Sequence, residues 1–253
     1  MRIVPLASGS LGNATLVESG RARLLIDAGL RVDELEMRLR GIGVEPRSID
    51  ALFVTHRHHD HIRGATHFAH RHRVRIHATP LTARSIGTEA HRRIKRIEPL
   101  QPFRCGDLEL LAIPLEHDAP QTCALRVDDG HARYGHATDL GCDSGPIRDL
   151  LHGCDVLLLE FNHDLARLAE GGDPPLLKQR ISSPKGHLDN RAAAALLAHL
   201  AGPRLQHVWL AHLSRRNNLP ELALAAARDA LHDRPGVEIA IALQDRPVDA
   251  VAC

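Results

Sequence analysis

The sequence predicts an α/β (α+β) chain in which two packed, mixed β-sheets are flanked by helices. Three observations carry that reading. Short apolar, strand-like runs bounded by turns fill the first half: "RIVPL", "ATLVES", "ARLLIDAG", "ALFVTH", "VRIHAT", "LELLAIPL" and "TCALRVDD". The second half repeats the logic with "DVLLLEFN", "HVWLAHLS" and "VEIAIAL". Helical stretches follow strands in both halves, which suits two layers of sheet better than one doubly wound sheet.

The helices follow in order. "VDELEMRLRGIG" carries apolar residues at helical spacing and ends at glycine. "DHIRGATHFAHRH" predicts a single helix that begins at a histidine cluster. "DNRAAAALLAHLA" predicts another, with Asp189 or Asn190 as its N-cap, and "LPELALAAARDALHD" the last. Residues 169–186, "AEGGDPPLLKQRISSPKG", read as the longest irregular stretch, a loop near the site. No repeat or low-complexity linker marks a boundary, so one domain over residues 1–253 is expected.

With 253 residues the chain is long enough to bury a substantial core. Its 43% hydrophobic and 25% charged residues are ordinary for a soluble globular protein. A net charge of +1 excludes a protein that coats polyanions with its whole surface, but not a local basic groove. Lysines supply only three of the 32 basic residues, which points to genomic base composition. No basic segment followed by an apolar one opens the chain, and no run approaches ~18 apolar residues, so a cytoplasmic protein without a membrane span is expected. The five cysteines are scattered, odd in number and lack C-x-x-C, which argues against a disulfide framework or a thiolate zinc knuckle.

The chemistry concentrates in "ALFVTHRHHDHIRG", residues 51–64. An apolar run delivers the chain to Thr55, after which H-x-H-x-D-H places His56, His58, Asp60 and His61 within six positions. Extended or looped backbone lets His56 and His58 point the same way, while Asp60 and His61 project from the first turn of the following helix. His59 alternates away. Imidazoles suit a borderline metal, and the carboxylate suits a second, oxygen-tolerant position. Chance gives such a pattern in about one per cent of histidine-rich chains of this length. Further ligands must come from other strand ends: His117 after "LLAIPLE", Asp139 after "YGHAT" and His212 closing "HVWLA" complete a set of five histidines and two aspartates. The remaining histidines, among them His77, His91, His163 and His207, read mostly as surface or helix-face residues.

Together, "THRHHDH", His117, "ATDLG" and "WLAHLS" resemble the metallo-β-lactamase-fold hydrolase superfamily. That resemblance implies a four-layer αββα sandwich. It also implies one metal on His56, His58 and His117, a second on Asp60, His61 and His212, and Asp139 bridging, with zinc the first choice and manganese the second. "LASGSLGN" followed by "LLIDAG" resembles the exonuclease-like YycJ/WalJ-type branch, which implies that Asp27 buttresses the ligand loop. Read physically, "SGSLGN" is a glycine turn whose backbone amides and short polar side chains, Ser10 and Asn13 among them, can approach a phosphate.

His187, in "SSPKGHLDN", stands just before a helix N-terminus that would favour an anion. It resembles the histidine of transfer-RNA 3′-processing enzymes of this fold, which pairs with a glutamate; Glu160 is the candidate here. "EFNHD" and "HLSRRNN" add Asn162, Asn217 and Asn218 as substrate-binding or supporting groups. The expected activity is hydrolysis of a phosphodiester by hydroxide held between two cations. Asp60 orients that hydroxide, while His187, backed by Glu160, stabilises the transition state. Nucleic acid, DNA before RNA, is the expected substrate. The alternative is a small-molecule metallo-hydrolase: a lactonase, a thioesterase or a cyclic phosphodiesterase. "HRRIKR", residues 91–96, is a local basic run that suits a solvated face or a phosphate backbone. The oligomeric state stays open, a dimer being one option.

Overall fold

The computed structural model describes residues 1–20, 22–87 and 92–253. Among them the strands form two seven-stranded sheets. The first has the order β14 (Val251–Ala252), β1 (Arg2–Ala7), β2 (Ala14–Ser19), β3 (Ala22–Ile26), β4 (Ala51–Phe53), β5 (Arg75–Ala78) and β6 (Ile94–Arg96). The second has the order β13 (Glu238–Ile241), β12 (His207–Ala211), β11 (Val156–Glu160), β10 (Arg133–Ala137), β9 (Cys123–Asp128), β8 (Leu108–Pro114) and β7 (Phe103–Cys105). Both sheets are built alike: antiparallel joins give way to parallel ones, at β3–β4 in the first and at β10–β11 in the second. The helices are α1 (Val32–Gly41), α2 (His59–Ile62), α3 (Ala65–His72), α4 (Pro80–Ala83), α5 (Gly145–Leu151), α6 (Leu165–Glu170), α7 (Pro175–Ile181), α8 (Asn190–Leu200) and α9 (Pro220–Ala230).

Alternation along the strands explains the layers. In β11, Val156 and Leu158 face the opposite sheet, whereas Leu157 and Leu159 pack with the helices. In β4, Ala51 and Phe53 face inward and Leu52 packs outward. Strands buried on both faces read as continuous apolar runs, and for that reason they are legible in the sequence. Leu35 and Leu39 of α1 and Phe68 of α3 cover the first sheet. Ile147 of α5, Leu196 and Leu197 of α8 and Ala223 and Ala227 of α9 cover the second. The middle layer holds Phe53, Tyr134 and Trp209, all fully buried between the sheets. The result is an αββα sandwich.

Three expectations need correction, and three short strands were not foreseen. The helix expected from Asp60 onward is two helices, because the chain breaks at Gly64, where a Cβ would stand 2.4 Å from the Leu30 carbonyl oxygen. Residues 169–186 are not wholly irregular: α7 lies within them, begun by a proline and burying none of its residues, so it leaves no apolar periodicity to read. His77, His163 and His207 are buried rather than superficial, while His91 lies outside the described residues. Strands β6, β7 and β14 span three, three and two residues, too few for a periodic signal. No described helix is long and apolar enough to cross a membrane.

Candidate metal centre

The site lies at the carboxyl ends of strands from both sheets, beside the two places where antiparallel pairing turns parallel. Crevices form at the carboxyl ends of strands at such positions because adjoining connections diverge there. Residues at the strand ends are bent out of extended backbone: Asp27, Asp139 and His212 have φ of 60°, 61° and 53°. Left-handed backbone at a non-glycine residue costs about 1–3 kcal/mol and persists only where surrounding contacts enforce it.

Those contacts are present at the first sheet. Asp27 is fully buried. Its carboxylate accepts hydrogen bonds from Thr55 N at 2.8 Å, from Thr55 Oγ1 at 2.9 Å and from His61 Nδ1 at 2.8 Å. The last bond places the His61 proton on Nδ1 and leaves Nε2, which Asn13 Nδ2 approaches to 3.0 Å, as the acceptor nitrogen facing the site. Asn13 N donates to Asp60 O at 2.8 Å, and Gly29 N donates to Asn13 O at 2.9 Å. Gly29 has to be glycine, since a Cβ there would lie 1.6 Å from Asp60 O.

From the second sheet come His117, Asp139, Glu160 and His212. His117 Nδ1 is 3.0 Å from Gly186 O, so its Nε2 faces inward. Glu160 Oε1 accepts from His212 Nδ1 at 3.0 Å and from His187 Nδ1 at 2.8 Å, while its Oε2 accepts from Leu140 N at 2.9 Å. One buried carboxylate therefore sets the tautomer of two histidines. Burial alone would raise the Glu160 pKa, but the charge and hydrogen bonds of His187 and His212 outweigh it and bring it to about 2.

Ligand atoms of His56, His58 and His117 lie within 4.8 Å of one another, as do those of Asp60, His61 and His212. Asp139 falls within the same distance of His56 and His61, and again of Glu160, His187 and His212. The placement is that of a bridge. The donor chemistry fits two cations. His56 Nε2 is buried with no hydrogen-bond partner, and so is Asp139 Oδ2, although His61 Nε2 stands only 3.1 Å away. Close lone pairs without hydrogen-bond geometry mark a common point for a ligated ion. Burial, reinforced by the charge of His61, holds the His56 pKa well below its ordinary value, so its imidazole is neutral, as a ligand must be. Burial would raise the pKa of Asp139, yet His212, His61 and His56 hold it well below the usual carboxylate range.

The expected site residues fall into separate groups. His56, His58, Asp60, His61, His117, Asp139 and His212 come together, with Glu160 and His187 beside them. Ser10, Asn162 and His187 line a small cavity of about 160 Å³ with His117, Asp118, Leu177, Arg180, Ile181 and Ser214. Asn13 is buried beneath the ligands, with Nδ2 3.0 Å from His61 Nε2, and does not line the cavity. Asn217 donates to Asp173, and Asn218 to the carbonyls of Phe161 and Asn162; both are buried braces.

Two anion-cradle expectations are corrected. The amides of Ser8, Gly9, Leu11, Gly12 and Asn13 are all bonded within the chain, so these five brace the turn, while Ser10 lines the cavity. At the α8 N-terminus the Asp189 carboxylate itself accepts from Arg191 N and Ala192 N.

Sequence reasoning missed Asp118, Arg180 and Ser8. Asp118 Oδ1 is 3.1 Å from His58 Nε2, which turns the other nitrogen of His58 toward His117, and its Oδ2 accepts from Arg180 Nε at 2.6 Å. The only available signal was its adjacency to His117. Ser8 Oγ accepts from His212 N at 2.8 Å, a contact across more than 200 residues that no local pattern announces.

Residues 22–212 match the family description "Beta-lactamase superfamily domain". The chain belongs to the β-lactamase superfamily. This superfamily member is 32% identical over 228 residues to exodeoxyribonuclease WalJ of Streptococcus pneumoniae, covering 86% of this chain and 83% of that one. It is 30% identical over 236 residues to exodeoxyribonuclease YycJ of Bacillus anthracis, covering 90% and 88%. Among solved structures it resembles the metallo-β-lactamase fold protein YhfI of Bacillus subtilis, with a TM-score of 0.73, 20% identity and coverage of 98% and 99%. The superfamily fold implies divalent-metal binding, and the histidine and aspartate clusters supply candidate ligands.

Proposed function

We propose that the protein is a two-metal phosphodiesterase that removes nucleotides from nucleic acid, DNA before RNA. The observation that carries this reading is the His187–Glu160 pair opening on a polar, hydroxyl-lined cavity beside the candidate ligand clusters. A lactonase or thioesterase needs an apolar pocket for its acyl group. Here Leu177 and Ile181 are the apolar side chains of a lining that includes Ser10, Ser214, Arg180, Asp118 and Asn162. The names of the relatives at about 30% identity support the same direction.

Cations on the two donor sets, zinc before manganese on histidine-rich ligation, supply Lewis acidity and lower the pKa of water toward ~7. The chain supplies the rest. Glu160 holds the His187 proton at Nδ1, and the opposite nitrogen faces the cavity, where it donates to a phosphoryl or leaving oxygen. Glu160 itself, fully buried, acts by positioning His187 and His212. Arg180, more than half of its side chain exposed at the rim, is held by Asp118 and can turn the rest of its guanidinium donors to a phosphate. Asp60, a member of the second donor set, faces His212 Nε2 at 3.4 Å and orients the attacking water.

The test is cleavage of 5′-labelled and 3′-labelled DNA, single-stranded and duplex, by metal-loaded protein, with His58→Ala as the blank. The expected result is metal-dependent loss of nucleotides from one end. His187→Ala should lower turnover with metal content intact; loss of metal from that variant contradicts its assigned role. Metal-loaded protein that cuts no polymer moves the assignment to a small-molecule hydrolase.

A further inference from the structure

Away from the metal ligands, at the opposite end of the first sheet, a cavity of about 380 Å³ is lined by Arg73, Arg75, His77, Arg92, Arg93, Lys95 and Arg104, with Asp50 its acidic residue. Six cations share one small space in a chain whose net charge is only +1. Among the described residues, the ion pair made by these six is Arg104 with Glu109, at 3.4 Å. Asp50 is already engaged, its Oδ2 accepting from Arg23 N at 2.8 Å. His77 supplies a second observation. It is 4% exposed, stacks on Phe103 with centroids 5.2 Å apart, and keeps a buried Nδ1 with no hydrogen-bond partner. Burial chiefly, and then the charges of Lys95 and Arg75, press its pKa down to about 4, so its ring is neutral beside the cations. Like charges gathered without counter-charge repel one another, so the arrangement is one that an anion completes.

We infer that this cavity is a second phosphate-binding site, which holds the backbone of the nucleic-acid strand whose end occupies the metal centre. The inference rests on the nuclease reading. Its geometry follows from the strands. Ala51, which opens β4, lines the cavity, and His56, a candidate ligand, stands three residues beyond the end of that strand. Five residues at about 3.3 Å each put the two places ~16 Å apart. That line runs through buried residues, so a single strand passes over the sheet edge instead and, at ~3.4 Å per nucleotide, needs at least about five nucleotides to join the two places. Strand β6 is the edge of its sheet and runs parallel to β5, so Lys95 and Arg96 carry the positive charge from the cavity toward the metal-bearing end.

The experiment uses an Arg75→Gln, Lys95→Gln double variant; both side chains are exposed and outside the metal centre. Three substrates are compared in the metal-loaded protein: a single-stranded 20-mer, a trinucleotide and a small chromogenic phosphodiester. Binding of the 20-mer is read separately by fluorescence anisotropy in chelator. The expected result is a rise of about tenfold in KM and Kd for the 20-mer and a salt slope shallower by ~1.4. The kcat, trinucleotide cleavage and small-ester hydrolysis should stay unchanged, and the melting temperature should not fall, since two repelling charges are removed. Equal losses on the trinucleotide, or no change on the 20-mer, overturn the inference while the nuclease reading stands. If the wild type cuts no DNA, that reading fails, and anisotropy still decides: no binding of the 20-mer, or binding indifferent to the substitutions, overturns the second site. Weaker binding of pyrophosphate with the 20-mer unaffected assigns the cavity to a small free anion and also overturns it.

Discussion

Replacing Asp27 by asparagine exchanges one oxygen for an amide and leaves the shape of the side chain intact. One carboxylate oxygen serves Thr55 N at 2.8 Å, and the other serves His61 Nδ1 at 2.8 Å. A backbone N–H cannot become an acceptor, so the new amide group must turn toward His61. There Nδ1 can accept only if the imidazole moves its proton to Nε2, the nitrogen that faces Asp139 Oδ2 at 3.1 Å. The ligating lone pair is then lost unless the new hydrogen bond is broken. Second-layer substitutions of this kind lower metal affinity about 10–100-fold, which is roughly 1.4–2.7 kcal/mol. Zinc affinity measured near neutral pH by competition with a chromophoric chelator reads the effect directly, and the melting temperature of the metal-free protein separates it from unfolding. Affinity within about threefold of wild type, with the fold intact, would refute the tautomer argument.

Further outcomes follow from other parts of the structure. Gly186→Ala puts a Cβ 2.1 Å from Ile181 O, on the residue whose carbonyl faces His117 Nδ1. It should cost about 1–3 kcal/mol and weaken metal retention, checked by thermal melts with and without zinc. Adding metal at about 1,000 times its Kd should stabilise the protein by ~4 kcal/mol, a gain that chelation removes; an unchanged melting temperature contradicts cation binding by the folded state. Trp209→Ala, between the sheets, should cost about 3–5 kcal/mol in chemical denaturation. His77, with a folded pKa of about 4 against an ordinary 6.5, binds its proton less readily when folded. Its contribution is complete above the unfolded pKa and declines as pH falls from about 6.5 to about 4, by at most ~3 kcal/mol before screening by solvent in the cavity. In chelator, His77→Asn should flatten the stability difference across that window; an unaltered slope rules His77 out as its source.

Much of the fold was legible because strands such as "DVLLLE" and "HVWLA" are buried on both faces, leaving continuous apolar runs. The candidate ligand cluster was legible because His56, His58, Asp60 and His61 crowd one turn, and because His117, Asp139 and His212 each follow or end such a run. What escaped notice either lacked a local pattern or depended on tertiary contact. Helix α7 buries nothing, so its sequence carries no amphipathic stripe. The glycine turn looked like an anion cradle because sequence does not reveal that its amides are already bonded to Gln244, Leu243 and Asp60. Asp118 and Ser8 act through partners, His58 and His212, that lie 60 and 204 residues away.

The doubling of the sheet plan has a consequence for how the molecule holds together. Each half brings an incomplete set of donors. His56 and His58 come from the first sheet and need His117 from the second, just as Asp60 and His61 need His212. A cation in either set would therefore be a rivet driven through both halves, its binding energy also docking energy between them. Cutting the chain in the turn at Leu100 would leave two fragments, with the second still carrying β14, the strap that pairs with β1. Such fragments should reassociate far more tightly with zinc than with chelator, making the centre an assembly device as well as a place for chemistry.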